Sequence, residues 1–172
     1  MSLRVSEFSI VGAVCSFVVF WAGPIESAPG RICGGEHTLF QCSVRGGEVA
    51  LCSNYIDGEL SGVQFRFVRE GGEGFMFPDS GFSFDSFKSN HFFRYQVDYK
   101  LVKFSVGSHI YSLYSNYDGG DGGGGQKNAG VLISDSSGKA VDEMPCLQIV
   151  ADNLGEAILR MKCDMDDALG CK

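Results

Sequence analysis

Apolar and polar residues alternate along most of the chain, and this period of two predicts β-strands. In the clearest run, apolar side chains occupy the odd positions of residues 93–99 and polar side chains occupy the even ones. The phase then changes, because residues 102–106 carry their apolar side chains on even positions. A one-residue slip cannot keep the same face buried, so we expect a turn or bulge near Lys100 and Leu101.

Seven to eight strands of this kind are predicted, separated by residues rich in Gly, Pro, Asn and Asp, which are typical of turns. This spacing favours an all-β fold, an antiparallel sandwich or small barrel, over alternating strands and helices. The strands cover residues 38–44, 49–53, 63–68, 93–100, 102–106, 111–113, 130–134 and 146–150.

The C-terminal part has a different pattern. Asn153, followed three residues later by Glu156, is typical of a helix N-terminus, and the apolar residues that follow predict a short C-terminal helix. A hairpin turn at Leu154 and Gly155 is the alternative, and it would bring two cysteines opposite each other.

The first 27 residues have the pattern of a secretory signal peptide. Arg4 precedes an apolar stretch over residues 8–23, and Pro24 ends it. A bilayer-spanning helix needs about 20 apolar residues, and this stretch is shorter. We therefore predict that residues 1–27 are removed on export, which leaves residues 28–172 as a single domain without a stable membrane span. An uncleaved signal anchor is the alternative.

Export places the remaining cysteines in an oxidising compartment, where their even number predicts three disulfides. A hairpin centred on Gly47 would place Cys42 opposite Cys52, and Cys33 would then pair with a C-terminal cysteine. The chain has no C-x-x-C pair and its three histidines are scattered, so we predict no metal site and no cofactor. The six cysteines are Cys33, Cys42, Cys52, Cys146, Cys163 and Cys171.

The formal net charge is -7, and lysines and arginines form no cluster. Nucleic-acid binding depends on such clusters, so we predict no nucleic-acid partner; a negative surface suits a basic protein partner instead. The chain also lacks a G-x-S-x-G motif, and oxidised cysteines supply no thiolate, so we predict that it is not an enzyme.

A glycine-rich segment over residues 117–125 is predicted to be a mobile hairpin connection, because no helix follows it as a phosphate-binding loop requires. Its acidic residues, Asp118 and Asp121, do not have the spacing of a calcium loop. The acidic residues within 164–167 do not have that spacing either. We interpret both groups as solvated loop charges.

Aromatic residues are concentrated in the middle of the chain, where thirteen of the twenty-one fall within residues 75–117. The segment over residues 82–87 alternates poorly, and we expect it to be more exposed than the regular strand around Tyr95. Exposed aromatic rings would form a recognition surface or a platform for sugars, whereas packing into the core is the ordinary alternative. With the loop acids Asp118 and Asp121, Phe82 and Phe84 are the candidate binding residues.

The segment Cys33-Gly34-Gly35-Glu36-His37-Thr38-Leu39-Phe40-Gln41-Cys42, with residues 49–52 and 63–67 after it, resembles a group of small exported cysteine-rich proteins of Gram-negative bacteria. Residues 163–171 look similar too. The resemblance implies periplasmic export and the cysteine framework, and it implies no catalytic residue because the group has no assigned activity. We therefore expect a periplasmic binding or inhibitor protein, such as one that blocks a basic cell-wall hydrolase or toxin. An envelope- or carbohydrate-associated structural module is the alternative.

Overall fold

The computed structural model describes residues 32–120 and 124–171. The predicted signal peptide lies outside these residues. The described chain forms eleven strands and one short helix, which are, in order, β1 (His37–Val44), β2 (Gly47–Ile56), β3 (Glu59–Arg69), β4 (Gly74–Phe77), β5 (Lys88–Arg94), β6 (Val97–Val106), β7 (His109–Asp118), β8 (Gln126–Asp135), β9 (Ala140–Pro145), β10 (Gln148–Asp152), α1 (Leu154–Ile158) and β11 (Lys162–Cys163).

The strands form two sheets that pack face to face as a sandwich. One sheet has five strands in the order β10-β1-β2-β3-β4, and the other has six in the order β11-β5-β6-β7-β8-β9. Neighbouring strands are antiparallel except for the short β11, which runs parallel to β5. The predicted all-β fold is confirmed. The strand count exceeds the prediction partly because β4 has only four residues and β9 is mostly exposed, so neither shows a clear alternation.

Aromatic rings from both sheets fill the centre of the sandwich. Phe104 of β6 stacks between Phe77 and Tyr111, with ring centroids 4.9 and 5.1 Å away. Phe65 and Phe87 pack against the same ring at 4.9 and 5.4 Å. Such rings bury a large apolar area and add favourable ring–ring contacts. Much of the aromatic middle of the chain therefore builds the core.

The turn predicted near Lys100 and Leu101 is wrong. β6 passes through both residues in an unbroken register with β5 and β7, and the chain reverses earlier, at Tyr95 and Gln96. Alternation continues across this two-residue turn, which hides the reversal. The turn also lacks the usual Asn or Gly, and Gln96 itself takes the left-handed conformation, with φ of 61°.

The described residues contain three disulfides, which indicate an oxidising, extracytoplasmic environment. One lies within the five-stranded sheet region, one joins β1 to the segment after β9, and one closes the C-terminal tail. The pairs are Cys33–Cys52, Cys42–Cys146 and Cys163–Cys171.

The predicted pairing of Cys42 with Cys52 is wrong because β1 and β2 pair in a different register. Cys42 lies opposite Val49, and Cys52 lies opposite Thr38. Cys42 is bonded instead to Cys146, 104 positions further along the chain. Closing so long a loop stabilises the fold by about 4–5 kcal/mol in the chain-entropy model.

The predicted short helix is confirmed, and the alternative hairpin at this position is wrong. α1 begins after Asn153, whose carbonyl oxygen accepts a hydrogen bond from the Glu156 amide at 3.0 Å, although its side chain makes no capping bond. The helix packs against β1, β5 and β6. No helix in the described ranges is long and apolar enough to cross a membrane. The buried helix residues are Leu154, Ala157 and Ile158.

The acidic tail after β11 is fixed to the outer face of the six-stranded sheet. Asn90 donates hydrogen bonds to the carbonyl oxygens of Asp164 and Gly170, both at 2.9 Å. The Asp164 carboxylate pairs with Lys88 and Lys103, each at 3.0 Å. Burial alone would raise the pKa of Asp164, but the two lysines outweigh burial and lower it. Asp164 therefore has a structural role, and the interpretation of it as a solvated loop charge is wrong.

Candidate functional site

The loop between β4 and β5 does not present its aromatic side chains to solvent as predicted. Phe84 packs against the main core, and Phe82 packs on the opposite face of the five-stranded sheet with Arg66 over its ring at 5.9 Å. Phe87 is only 1% exposed, whereas Tyr95 is 86% exposed. The expectation that residues 82–87 are more exposed than the region around Tyr95 is therefore wrong.

Asp118 is also remote from those aromatic residues. It is the last residue of β7, whereas Asp121 lies outside the described residues. The loop that carries Phe82 and Phe84 ends at Lys88, where β5 begins. Lys88 lies opposite Lys103 of β6, and Lys103 lies opposite Ser112 of β7. Asp118 is six residues further along β7 than Ser112, which corresponds to about 20 Å. The structure thus does not bring Phe82, Phe84 and Asp118 into one surface.

Exposed aromatic side chains lie instead around the turn between β5 and β6. We call Phe93, Tyr95 and Tyr117 the aromatic tip; they are 60%, 86% and 42% exposed. In the register of the sheet, Phe93 lies opposite Asp98, and Asp98 lies opposite Tyr117. Two rings therefore flank one carboxylate on the same face of the sheet, and Tyr95 projects at its end.

The turn that carries the aromatic tip is held by the glycine-rich loop. The Gly119 amide donates a hydrogen bond to the Gln96 carbonyl oxygen at 2.6 Å. A Cβ atom on Gly119 would lie 2.7 Å from the Gln96 side chain, so only glycine allows this approach. A Cβ atom on Gly125 would likewise lie 2.6 Å from the Tyr117 ring. The described ends of the loop are thus packed against the tip.

A cluster of charged side chains lies behind the aromatic tip. His91 Nε2 is 2.7 Å from Asp98 Oδ1, and Lys100 bonds the other oxygen of the same carboxylate. Burial alone would raise the pKa of Asp98, but the hydrogen bonds from Lys100 and His91 outweigh it and leave the pKa below its ordinary value. Asp98 is therefore a stable carboxylate with both oxygens engaged.

A second carboxylate, Asp152 of β10, completes this charged cluster. Its Oδ2 accepts hydrogen bonds from Lys127 at 2.7 Å and from Ser115 at 2.6 Å. Burial opposes its ionisation, but Lys127, Ser115 and the nearby charge of Lys100 together lower the pKa of Asp152. Each carboxylate is thus matched by a lysine. The cluster can offer hydrogen bonds beside the rings, but it holds no carboxyl group poised to give or take a proton at neutral pH.

The opposite end of the sandwich contains a cleft of about 760 Å³, which we call the end cleft. It opens between the β1–β2 turn, the ends of β3 and β4, and the edge strand β9. Its floor is aromatic and aliphatic, and its rim carries two arginines and two acids. The lining residues are Arg45, Phe67, Arg69, Phe75, Tyr111, Ile133, Asp142, Glu143, Met144, Pro145 and Leu147.

Sequence reasoning missed the end cleft and most of the aromatic tip. Phe67 and Tyr111 occupy the same alternating positions as core residues, so no pattern marks them as cleft residues. A signal for the tip did exist, because Tyr95 is an unusual residue for a two-residue turn.

Within the described residues, no group of three or more His, Cys, Asp or Glu side chains is placed to hold a metal ion. Comparison with protein-family models, with curated proteins and with solved structures finds no match. Local geometry and charge therefore carry the functional argument.

Proposed function

We propose that this chain is a periplasmic, non-catalytic binding protein that recognises a basic protein partner through the aromatic tip, in the manner of an inhibitor or immunity protein. The observation that carries the proposal is Tyr95, whose ring is 86% exposed in a turn held by backbone hydrogen bonds. The resemblance to exported cysteine-rich proteins of Gram-negative bacteria supports the periplasm.

Burial of the exposed Tyr95 ring against a partner protein would stabilise the complex. Burying such a ring contributes about 1.5–3 kcal/mol, and tyrosine is enriched among residues that dominate protein interfaces. A turn that is already ordered loses little conformational entropy on binding. The tip therefore has the properties of an anchor that inserts into a pocket of another protein.

The charge of the chain favours a basic partner. The net charge is -7, and Asp118 lies exposed beside the turn that carries Tyr95. Opposite charges on the two proteins would speed their encounter and orient the tip toward the partner. A basic cell-wall hydrolase or a basic toxin has the required charge.

Inhibition of lysozyme tests this proposal with a defined basic hydrolase. We expect the protein to slow the clearing of a peptidoglycan suspension, and Tyr95→Ala to weaken this effect about 10- to 100-fold. Met165→Ala is the matched control, because Met165 is 79% exposed but lies on the C-terminal tail. The same three proteins are then used to capture basic proteins from an envelope extract. Absence of any Tyr95-dependent partner in both assays would overturn the proposal.

A second candidate function is carbohydrate binding, and the placement of Asp98 between Phe93 and Tyr117 favours it. Rings stack on the apolar faces of sugars, and a carboxylate accepts hydrogen bonds from their hydroxyl groups. We expect glycan-array binding that is lost in Phe93→Ala if this function holds. A silent array, together with Tyr95-dependent capture of a protein, would decide for the protein partner.

A further inference from the structure

We propose that the end cleft is a second binding site, independent of the aromatic tip, and that it binds short peptides with free termini. An apolar side chain of the peptide would occupy the floor. The peptide carboxylate would face Arg45 and Arg69, and its ammonium group would face Asp142.

Ring packing fixes the side chains that form the floor of the end cleft. Tyr111 is stacked on the buried Phe104 ring at 5.1 Å with an interplanar angle of 9°, which fixes its orientation. Phe75 packs edge-on against Tyr111 at 5.3 Å, and Phe67 packs against Phe75 at 6.2 Å. All three cleft rings are half-buried. A ligand therefore meets an ordered apolar surface and pays little for reorganisation.

The rim carries charges of opposite sign from the two sheets. Arg45 and Arg69 come from the five-stranded sheet, and Asp142 comes from the inward face of β9 in the other sheet. No ion pair in the described part of the chain involves any of these three residues. Glu143 points instead to the outer face, where it accepts a hydrogen bond from the Tyr114 hydroxyl. Asp142 Oδ1 accepts a hydrogen bond from the Glu143 amide at 2.8 Å, which leaves Oδ2 for a ligand. The rim thus keeps two cations and one carboxylate for a ligand.

This combination selects a zwitterionic ligand with an apolar centre. A purely apolar molecule would remove water from the three charged groups without replacing their hydrogen bonds. A simple anion would be attracted by the arginines but repelled by the Asp142 carboxylate. A short peptide satisfies both signs, because its terminal charges lie at opposite ends of a chain that carries a side chain between them. A cleft of about 760 Å³ is large enough for a few residues.

Calorimetric titration with the tripeptide alanyl-phenylalanyl-alanine tests the proposal. We expect N-acetylation to weaken binding about two- to fivefold, and C-terminal amidation to do the same, because each cap removes one exposed charge contact. Replacing the central phenylalanine by alanine should weaken binding at least about tenfold. The doubly capped peptide should bind more weakly than either singly capped form.

Variants of the rim assign each terminus to its side of the cleft. In the variant Asp142→Asn, N-acetylation should no longer matter, whereas amidation should still weaken binding. The variant Arg45→Gln/Arg69→Gln should show the converse. Asp57→Asn is the control for loss of one carboxylate, because Asp57 is exposed in the β2–β3 turn and asparagine tolerates its positive φ. These exposed substitutions leave the core unchanged, and circular dichroism verifies folding.

Two results would overturn the proposal. One is equal binding of the free and doubly capped tripeptides, which would assign the cleft to an internal segment of a protein. The other is absence of binding by the phenylalanine tripeptide up to its solubility limit. Tyr95→Ala should leave tripeptide binding unchanged, so a failure here is distinguishable from a failure of the proposed role of the aromatic tip.

Discussion

Strands β6 and β7 line both ends of the space between the sheets, and their inward side chains change character along their length. Near the end cleft, these positions hold Phe104 and Tyr111, which stack on each other. Near the aromatic tip, the equivalent positions hold Asp98 and Lys100, which form an ion pair, and Ser115, which donates a hydrogen bond to Asp152. One end is held by ring packing and the other by charge.

The difference follows from what covers each end. At the charged end, α1 packs on β5 and β6, and Gly155 of α1 lies beside the Lys100 stem. Long polar side chains can then cover the sheet with their stems and pair their charged groups. At the cleft end no helix intervenes, so rings from the two sheets contact directly. We expect the stability of the charged end to depend on pH, and the stability of the cleft end to depend on side-chain volume.

The largest effect should come from emptying the ring stack. Phe104 is 4% exposed and contacts rings from both sheets, so Phe104→Ala should lower the free energy of unfolding by about 3–5 kcal/mol. Urea unfolding followed by circular dichroism measures the change. Hydrogen exchange should also rise first in the halves of β6 and β7 that border the end cleft.

Tyr95→Ala is the control for this comparison. The Tyr95 ring is 86% exposed, so its removal should change the free energy of unfolding by no more than about 0.5 kcal/mol. If Phe104→Ala cost no more than Tyr95→Ala, ring packing would not be what holds the cleft end.

An intermediate effect should come from the charged end, and it should depend on pH. The pKa values of Asp98 and Asp152 are lowered below the ordinary 3.8, so their ionised forms stabilise the fold above that pH. This contribution is lost as the pH falls below about 4 through the folded-state pKa values. We expect Asp152→Asn to cost about 1–2 kcal/mol at neutral pH, because Lys127 and Ser115 lose an ionised acceptor.

The same variant should lose less stability on acidification than the wild type, which urea unfolding at a series of pH values measures. The acid loss should shrink without disappearing, because the pKa of Asp164 in the tail is lowered as well. Phe104→Ala should keep the wild-type pH dependence. A parallel acid response in wild type and Asp152→Asn would show that this carboxylate does not contribute to the charged end.

The alternation of apolar and polar residues predicts much of this fold. The two ends of the sandwich depend instead on turn length and on tertiary packing, which alternation does not reveal. The pair Asn153 and Glu156 predicts the helix at the right place, although Asn153 makes no side-chain capping bond and the Glu156 carboxylate accepts a hydrogen bond from Tyr55 instead. Cys42 does not meet Cys52 because a two-residue turn at Arg45 and Gly46 places it opposite Val49, and alternation does not reveal the length of a turn. A single sequence also does not show which of its alternating aromatic residues the opposite sheet will cover. Phe67 lines the end cleft because the opposite sheet does not cover it fully, whereas core residues of the same pattern are covered.

The smallest effect concerns Tyr114, which lies on the outer face beside the cleft rim. Burial and a hydrogen bond of 2.8 Å to Glu143 raise the pKa of Tyr114 to about 12. Because the folded-state pKa exceeds the ordinary 10.0, the associated stability is present below pH 10.0 and is lost as the pH rises toward 12. Ultraviolet absorbance of tyrosinate, compared between wild type and Tyr114→Phe, should reveal this titration.

Glu143→Gln separates the two causes of the Tyr114 shift. It removes the negative charge but keeps an acceptor and the burial, so the pKa of Tyr114 should fall part of the way toward 10.0. The variant should leave the acid response of Asp98 and Asp152 unchanged, because those groups lie at the other end of the sandwich. If Glu143→Gln altered the acid response as well, the two ends would be coupled through β7 and β8. The contrast between a packed end and a charged end would then be one of degree.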